Sequence, residues 1–135
     1  MFKKFKKAFT ITELVIVIAV IAILAAVLIP TFSTVIGKAN ESAAMQECRS
    51  EWTNLSVEVM TDETAGKDYL FSIEKGGKTY YFAVIGGAFD TDAIASEKVS
   101  GSTVTIGSDS YTMTEYSAYT PENTSVSIFT LTENA

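Results

Sequence analysis

The chain has 135 residues, of which 47% are apolar, 10 are basic and 16 acidic, giving a net charge of −6; it contains one cysteine and no histidine. A single cysteine excludes an internal disulfide, and the lack of histidine excludes His-centred acid/base or triad chemistry. The acidic balance is a poor electrostatic match for DNA or anionic lipid heads, so direct nucleic acid binding is not expected.

Lysines at 3, 4, 6 and 7 precede an apolar run that opens with one acid, Glu13. From Leu14 through Ile29 every residue is Leu, Val, Ile or Ala, and no charge reappears before Lys38, leaving 24 uncharged residues. As a helix this stretch is roughly 36 Å long, enough to cross a hydrocarbon core of about 30 Å. A cleavable secretory signal has a shorter apolar region, about 7–15 residues, ending at a small-x-small site. No Ala-x-Ala occurs between Ala22 and Val27. The expected arrangement is a single-pass segment in the inner or cytoplasmic membrane, with the lysines on the cytoplasmic side and everything after the span outside.

Glu13 needs explanation, because a carboxylate at the centre of a membrane helix costs about 2.5–3.5 kcal/mol and less near the interface. An interfacial acid also suits a helix N-terminus. That accounts for its tolerance but not for the residues around it. Lys7-Ala8-Phe9-Thr10-Ile11-Thr12-Glu13-Leu14 resembles the leader junction of type IV prepilins and the related pseudopilins. In that family a short basic leader ends in Gly, Phe usually follows, and Glu stands fifth after the cut. Counted from Phe9, Glu13 is fifth and Pro30 twenty-second, where many pilins place a helix-bending proline. The likeness covers roughly residues 3–52. Two departures are Ala8 in place of Gly and Thr12 where an apolar residue is common.

The resemblance implies that residues 1–8 form a basic leader, removed by prepilin peptidase between Ala8 and Phe9, with N-methylation of the new Phe9 amine. Glu13 becomes the assembly residue, pairing with the Phe9 amine of a neighbouring subunit and offsetting the cost of holding both charges in an apolar interior. The implied partners are a homo-oligomeric or mixed pilin filament, an assembly platform protein and its ATPase, with membrane lipid covering the helix before assembly. Without the four leader lysines, six basic side chains face 16 acidic ones, a net of −10.

Pro30 lacks an N–H and clashes with the preceding turn, so it either bends the helix or ends it. Continuation is favoured by Ile36, Ala44, Cys48, Trp52, Leu55 and Val59, which mostly recur at three or four residues, with Ala39 or Ala43 filling the gap. Lys38, Glu41, Glu47, Arg49, Glu51 and Glu58 take the other faces. The reading is thus a hydrophobic helix over 9–36 and an amphipathic continuation over 37–62, stopped near Gly66. Cys48, on the apolar face, reads as a buried free thiol.

Residues 67–135 read as a β-rich head. Strands at Tyr69–Ile73 and Thr79–Ile85 flank a Gly76-Gly77 turn; a second hairpin joins Val104–Ile106 to Tyr111–Met113 through residues 107–110; Ser125–Leu131 forms a last strand. Thr91–Lys98 is compatible with a short helix. So small a sheet needs the amphipathic helix to complete its core. The expected fold class is α+β, a long N-terminal helix packed through its second half on a small antiparallel sheet. No enzyme activity and no cofactor are expected: Asp90 and Asp92 lack the spacing of a calcium loop, and Glu115 and Glu122 have no evident partner. The function implied is a structural subunit of a type IV pilus or of a secretion or competence pseudopilus. The alternative is a membrane-anchored β-rich binding protein that does not polymerise.

Overall fold

In a computed structural model, residues 10–59 and 66–134 are described. The leader, Ala8 and Phe9 lie outside the described residues, as does the expected helix stop between Met60 and Ala65. One helix, α1, runs over Ile11–Val59 with Pro30 inside it, so Pro30 does not terminate it. The chain separates into two compact units between Lys38 and Ala39, and the first contains 28 residues of α1, roughly 42 Å of helix.

In the second unit, the remainder of α1 packs on a sheet of seven antiparallel strands: β1 Asp68–Lys75, β2 Lys78–Ile85, β3 Ala88–Phe89, β4 Val99–Ser100, β5 Thr103–Ile106, β6 Asp109–Glu115 and β7 Val126–Glu133. Their order is β3-β2-β1-β7-β6-β5-β4, so the last strand occupies the centre. The fold is α+β, as the apolar patterning implies. The β1–β2 hairpin closes with Lys75 opposite Lys78, and Gly76 and Gly77 at φ 59 and 78 supply the two positive angles that a type I′ turn requires.

Three details differ from the sequence reading. The β5–β6 turn uses only Gly107 and Ser108, because Ile106 pairs with Asp109; Gly107 at φ 63 lets the chain reverse in two residues and returns Asp109 and Ser110 to the strand. The segment after β3 is extended rather than helical. Asp90 and Ile94 donate backbone hydrogen bonds to Ala83 and Tyr81 at 2.9 and 2.8 Å, holding it along β2 and leaving one 3-10 turn at Ser96–Lys98. Ile36 is 54% exposed and does not join the packed stripe.

Alternation along the strands divides the core between two faces. On the helix side, Ala44, Cys48 and Leu55 meet Tyr69, Phe71, Ile73, Phe82, Val84, Val126 and Ile128. Trp52 packs its ring edge-on to Phe71 at 6.3 Å and tilted on Tyr69 at 5.9 Å. On the far side, Leu70, Ala83, Val104, Tyr111 and Leu131 form a second cluster. Leu55 is fully buried whereas Val57 is 69% exposed. Leu55→Ala should therefore lower the unfolding free energy of the detergent-solubilised chain by about 2–5 kcal/mol. Val57→Ala should change it by less than about 0.5 kcal/mol. Urea titration followed by Trp52 fluorescence reads both.

Candidate functional site

Sixteen large apolar residues between Ile11 and Ile36 are exposed, from 49% at Val20 to 83% at Ile11. At about 1.5–3 kcal/mol for each side chain, leaving this surface in water costs on the order of tens of kcal/mol, comparable to or larger than the net stability of a domain. Among the described residues this is the one helix long and apolar enough to cross a membrane.

The first turn of α1 holds Glu13 by a reciprocal cap. The Thr10 N–H donates to Glu13 Oε2 at 3.0 Å, and the Glu13 N–H donates to Thr10 Oγ1 at 3.2 Å. This is a capping box, in which two backbone donors at the helix start are satisfied by each other's side chains. Leu14 N–H then donates to the Thr10 carbonyl at 3.2 Å, the first backbone bond of the helix. The position of Glu13 at the helix start is evident from the apolar run, and the pattern Thr-x-x-Glu at 10–13 is the signal that identifies Thr10 as its capping partner. The exposed carboxylate has Ile11, Leu14 and Val17 as neighbours along the helix start.

Pro30 removes one donor from the ladder, leaving the Ala26 carbonyl without its helical partner. Just beyond it, Thr31 Oγ1 donates to the Val27 carbonyl at 2.9 Å and Thr34 Oγ1 to the Pro30 carbonyl at 3.1 Å. Such back-bonding satisfies the hydroxyls inside the apolar segment and favours a slight bend.

Farther along α1, two glutamates expected on the outward face turn inward. Glu51 is 3% exposed; it accepts the Asn123 backbone N–H at 2.8 Å and the Tyr119 hydroxyl at 3.3 Å. It thereby clasps the connection between β6 and β7 to the helix. Glu47 meets Lys75 at 2.9 Å, fastening the β1–β2 hairpin. Both acids flank Cys48 on the packed stripe, so their spacing from Ala44 and Leu55 was the available clue. Burial pushes the pKa of the Tyr119 hydroxyl above its ordinary value, with Glu51 adding to the effect, so the hydroxyl keeps the proton that it donates to Glu51. Asp90 and Asp92 form a local turn in which the Asp92 N–H donates to Asp90 Oδ1 at 3.0 Å. The structure thus brings Thr10 and Glu13 together, keeps Pro30 within the helix, and shows neither Ala8 nor Phe9.

Residues 3–29 match the family description "Prokaryotic N-terminal methylation motif", which contains Glu13 and the uncharged run. The chain is also similar to the type IV major fimbrial protein FimA of Dichelobacter nodosus, at 35% identity over 68 residues. That alignment spans 50% of this chain and 44% of the relative, so the likeness concerns about half of each. No solved structure matches. Residues 3–29 thus resemble a prokaryotic N-terminal methylation motif, and about half of the chain resembles a type IV fimbrial protein. In this segment the apolar surface and the capped acid are parts of one element, α1.

Two outcomes follow. Thr10→Ala should destabilise the first turn of α1 by about 1 kcal/mol, seen as faster amide exchange at Glu13 and Leu14, because it removes the reciprocal cap. Burial, reinforced by Glu47 and Glu51, pushes the Cys48 thiol from 9.0 up to about 12. The folded thiol keeps its proton at higher pH than the unfolded one, so this contribution is fully present below pH 9 and is lost as the pH rises toward 12. Urea midpoints measured across that window should fall, and Cys48→Ala should lessen the slope.

Proposed function

We propose that the chain is a structural subunit of a type IV pilus or a pilus-like pseudopilus, stored in the membrane and polymerised through α1. The observation that carries this reading is the uncharged, exposed surface from Leu14 to Ile36 with a single acid at its start. Lipid can cover such a surface before assembly, and sister helices can cover it afterwards. The family motif over residues 3–29 and the likeness to a fimbrial protein support the same reading.

In this reading a prepilin peptidase hydrolyses the Ala8–Phe9 bond, and methyl transfer to the new Phe9 amine follows. The removed leader takes four lysines with it, and the exposed amine is a cation on Phe9, four positions before Glu13. In a bundle of sister helices, that amine pairs with Glu13 of a neighbour. The pair offsets desolvation of both groups and, because its position along the helix is fixed, sets the axial offset between subunits. A platform protein and an ATPase supply extraction from the membrane. The head lies outside after a single membrane pass, and at the cell surface once in the fibre. The acidic balance of the chain disfavours direct nucleic acid binding by this subunit.

Glu13 has two separable contributions, the cap and the charge. Glu13→Gln keeps a side chain able to close the capping box and removes the charge. Glu13→Val removes both. Both variants should insert into the membrane normally and both should fail to form sheared surface fibres. Normal fibres from Glu13→Gln would refute the charge-pair role. Mass spectrometry of the mature chain should find methylated Phe9 as its first residue; an intact Met1 start together with an absence of fibres would identify a non-polymerising anchor instead.

A further inference from the structure

Three adjacent strands each carry a Thr-x-Thr pair: Thr103 and Thr105 on β5, Thr112 and Thr114 on β6, Thr130 and Thr132 on β7. Their register places them in rows. Thr103 pairs with Thr112 and Thr112 with Thr132; Thr114 pairs with Thr130; Thr105 pairs with Ser110. Directly opposed residues in antiparallel strands share a face, so all of these side chains lie on one side of the sheet. The alternate positions hold Val104, Tyr111, Met113 and Leu131 of the far-side cluster, together with the acids Asp109, Glu115 and Glu133. These three strands therefore carry their charges on one face and present uncharged hydroxyl and methyl groups on the other. The threonine face continues, two residues along β7, into Ile128, which packs beneath α1. The helix does not cover it: Thr103, Thr105, Thr114 and Thr132 are exposed.

We infer that this threonine face is a docking surface for a second copy of the same chain. Charge selects the occupant. The processed chain of the proposed fibre carries a net of −10, and like-charged copies repel wherever their acids meet. A face free of charge on three neighbouring strands is where two such copies can approach. Desolvation points the same way. Thr103 Oγ1 already donates to the Ser100 carbonyl at 2.9 Å, Thr112 Oγ1 to Asn134 Oδ1 at 2.7 Å and Thr130 Oγ1 to the Thr114 carbonyl at 3.3 Å. These three hydroxyl donors, satisfied within the chain, can be buried at little cost, which favours a protein contact on this face. At strand spacings of about 4.8 Å and about 3.4 Å per residue, the array measures roughly 10 Å by 14 Å between its outer positions. This is well below the ~800 Å² per partner of a free-standing interface, so the contact operates only where the helices already hold the copies together. The inference rests on the subunit reading above.

The test is cysteine labelling with a maleimide in sheared fibres and in detergent-solubilised subunits, using Thr114→Cys, Thr132→Cys and, on the opposite face, Ser127→Cys. Buried Cys48 sets the baseline in the unsubstituted chain. Positions 114 and 132 should react at least about tenfold more slowly in fibres, the equivalent of about 1.4 kcal/mol of protection, while position 127 keeps its detergent rate. Equal rates in both states, uniform protection of all three positions, or a hexose mass on these threonines would overturn the inference while leaving the fibre reading intact. An absence of fibres from the unsubstituted chain would remove the subunit reading and this inference with it. As a second measurement, the double substitution Thr114→Glu with Thr132→Glu should reduce fibre yield about tenfold by placing like charges in the contact, and Ser127→Glu should not; undiminished yield from the double variant would also overturn it.

Discussion

Water cannot hold the surface of the first 26 residues of α1. Every other feature of the chain is arranged around that constraint. A soluble protein buries such a helix in its own core, but here the residues that could provide a core belong to the sheet, and they are occupied by Ala44, Cys48, Trp52 and Leu55 from later in the helix. The consequence is a division of labour within one element. Its later part is amphipathic and completes the head; its earlier part is apolar on all sides and must find its covering outside the chain.

The acid at the start of that apolar surface is held in a particular way. Thr10 and Glu13 satisfy each other's backbone donors, which fixes the first turn through contacts local to the helix start. A carboxylate anchored in this geometry keeps a defined position along the helix axis, and a defined position is what a register-setting charge needs. The cap and the proposed intermolecular pair therefore support each other: the first orients the group, and the second neutralises it in a low-dielectric interior, where an unpaired charge is costly. Glu51 illustrates the same economy in the head, where a buried carboxylate is retained because a backbone N–H and a tyrosine hydroxyl both donate to it.

Much of this was legible in the residues. The uncharged run, the acid at its mouth and the three-to-four spacing of Ala44, Cys48, Trp52 and Leu55 define the helix and its packed face directly, because these patterns are local and repeat along one element. The Gly76-Gly77 turn and the strands beside it were visible for the same reason. What escaped was decided by tertiary contacts. Glu51 looks like a solvent-facing acid until the β6–β7 connection is folded over it. Residues 91–95 have no strong preference and become extended only because β2 offers two carbonyls. The threonine pairs are unremarkable singly; they acquire meaning when strand order and register place β5, β6 and β7 side by side. Thr10 is different, since its capping pattern with Glu13 is local and present in the sequence itself.

The account stands or falls on where Glu13 sits in the assembled state. A cryo-EM reconstruction of sheared fibres, at a resolution that shows side chains, measures this directly. The account predicts the Phe9 amine of a neighbouring copy within about 4 Å of the Glu13 carboxylate, inside a core of packed α1 helices. A reconstruction with Glu13 facing solvent, or with no cationic group within that distance, would contradict it.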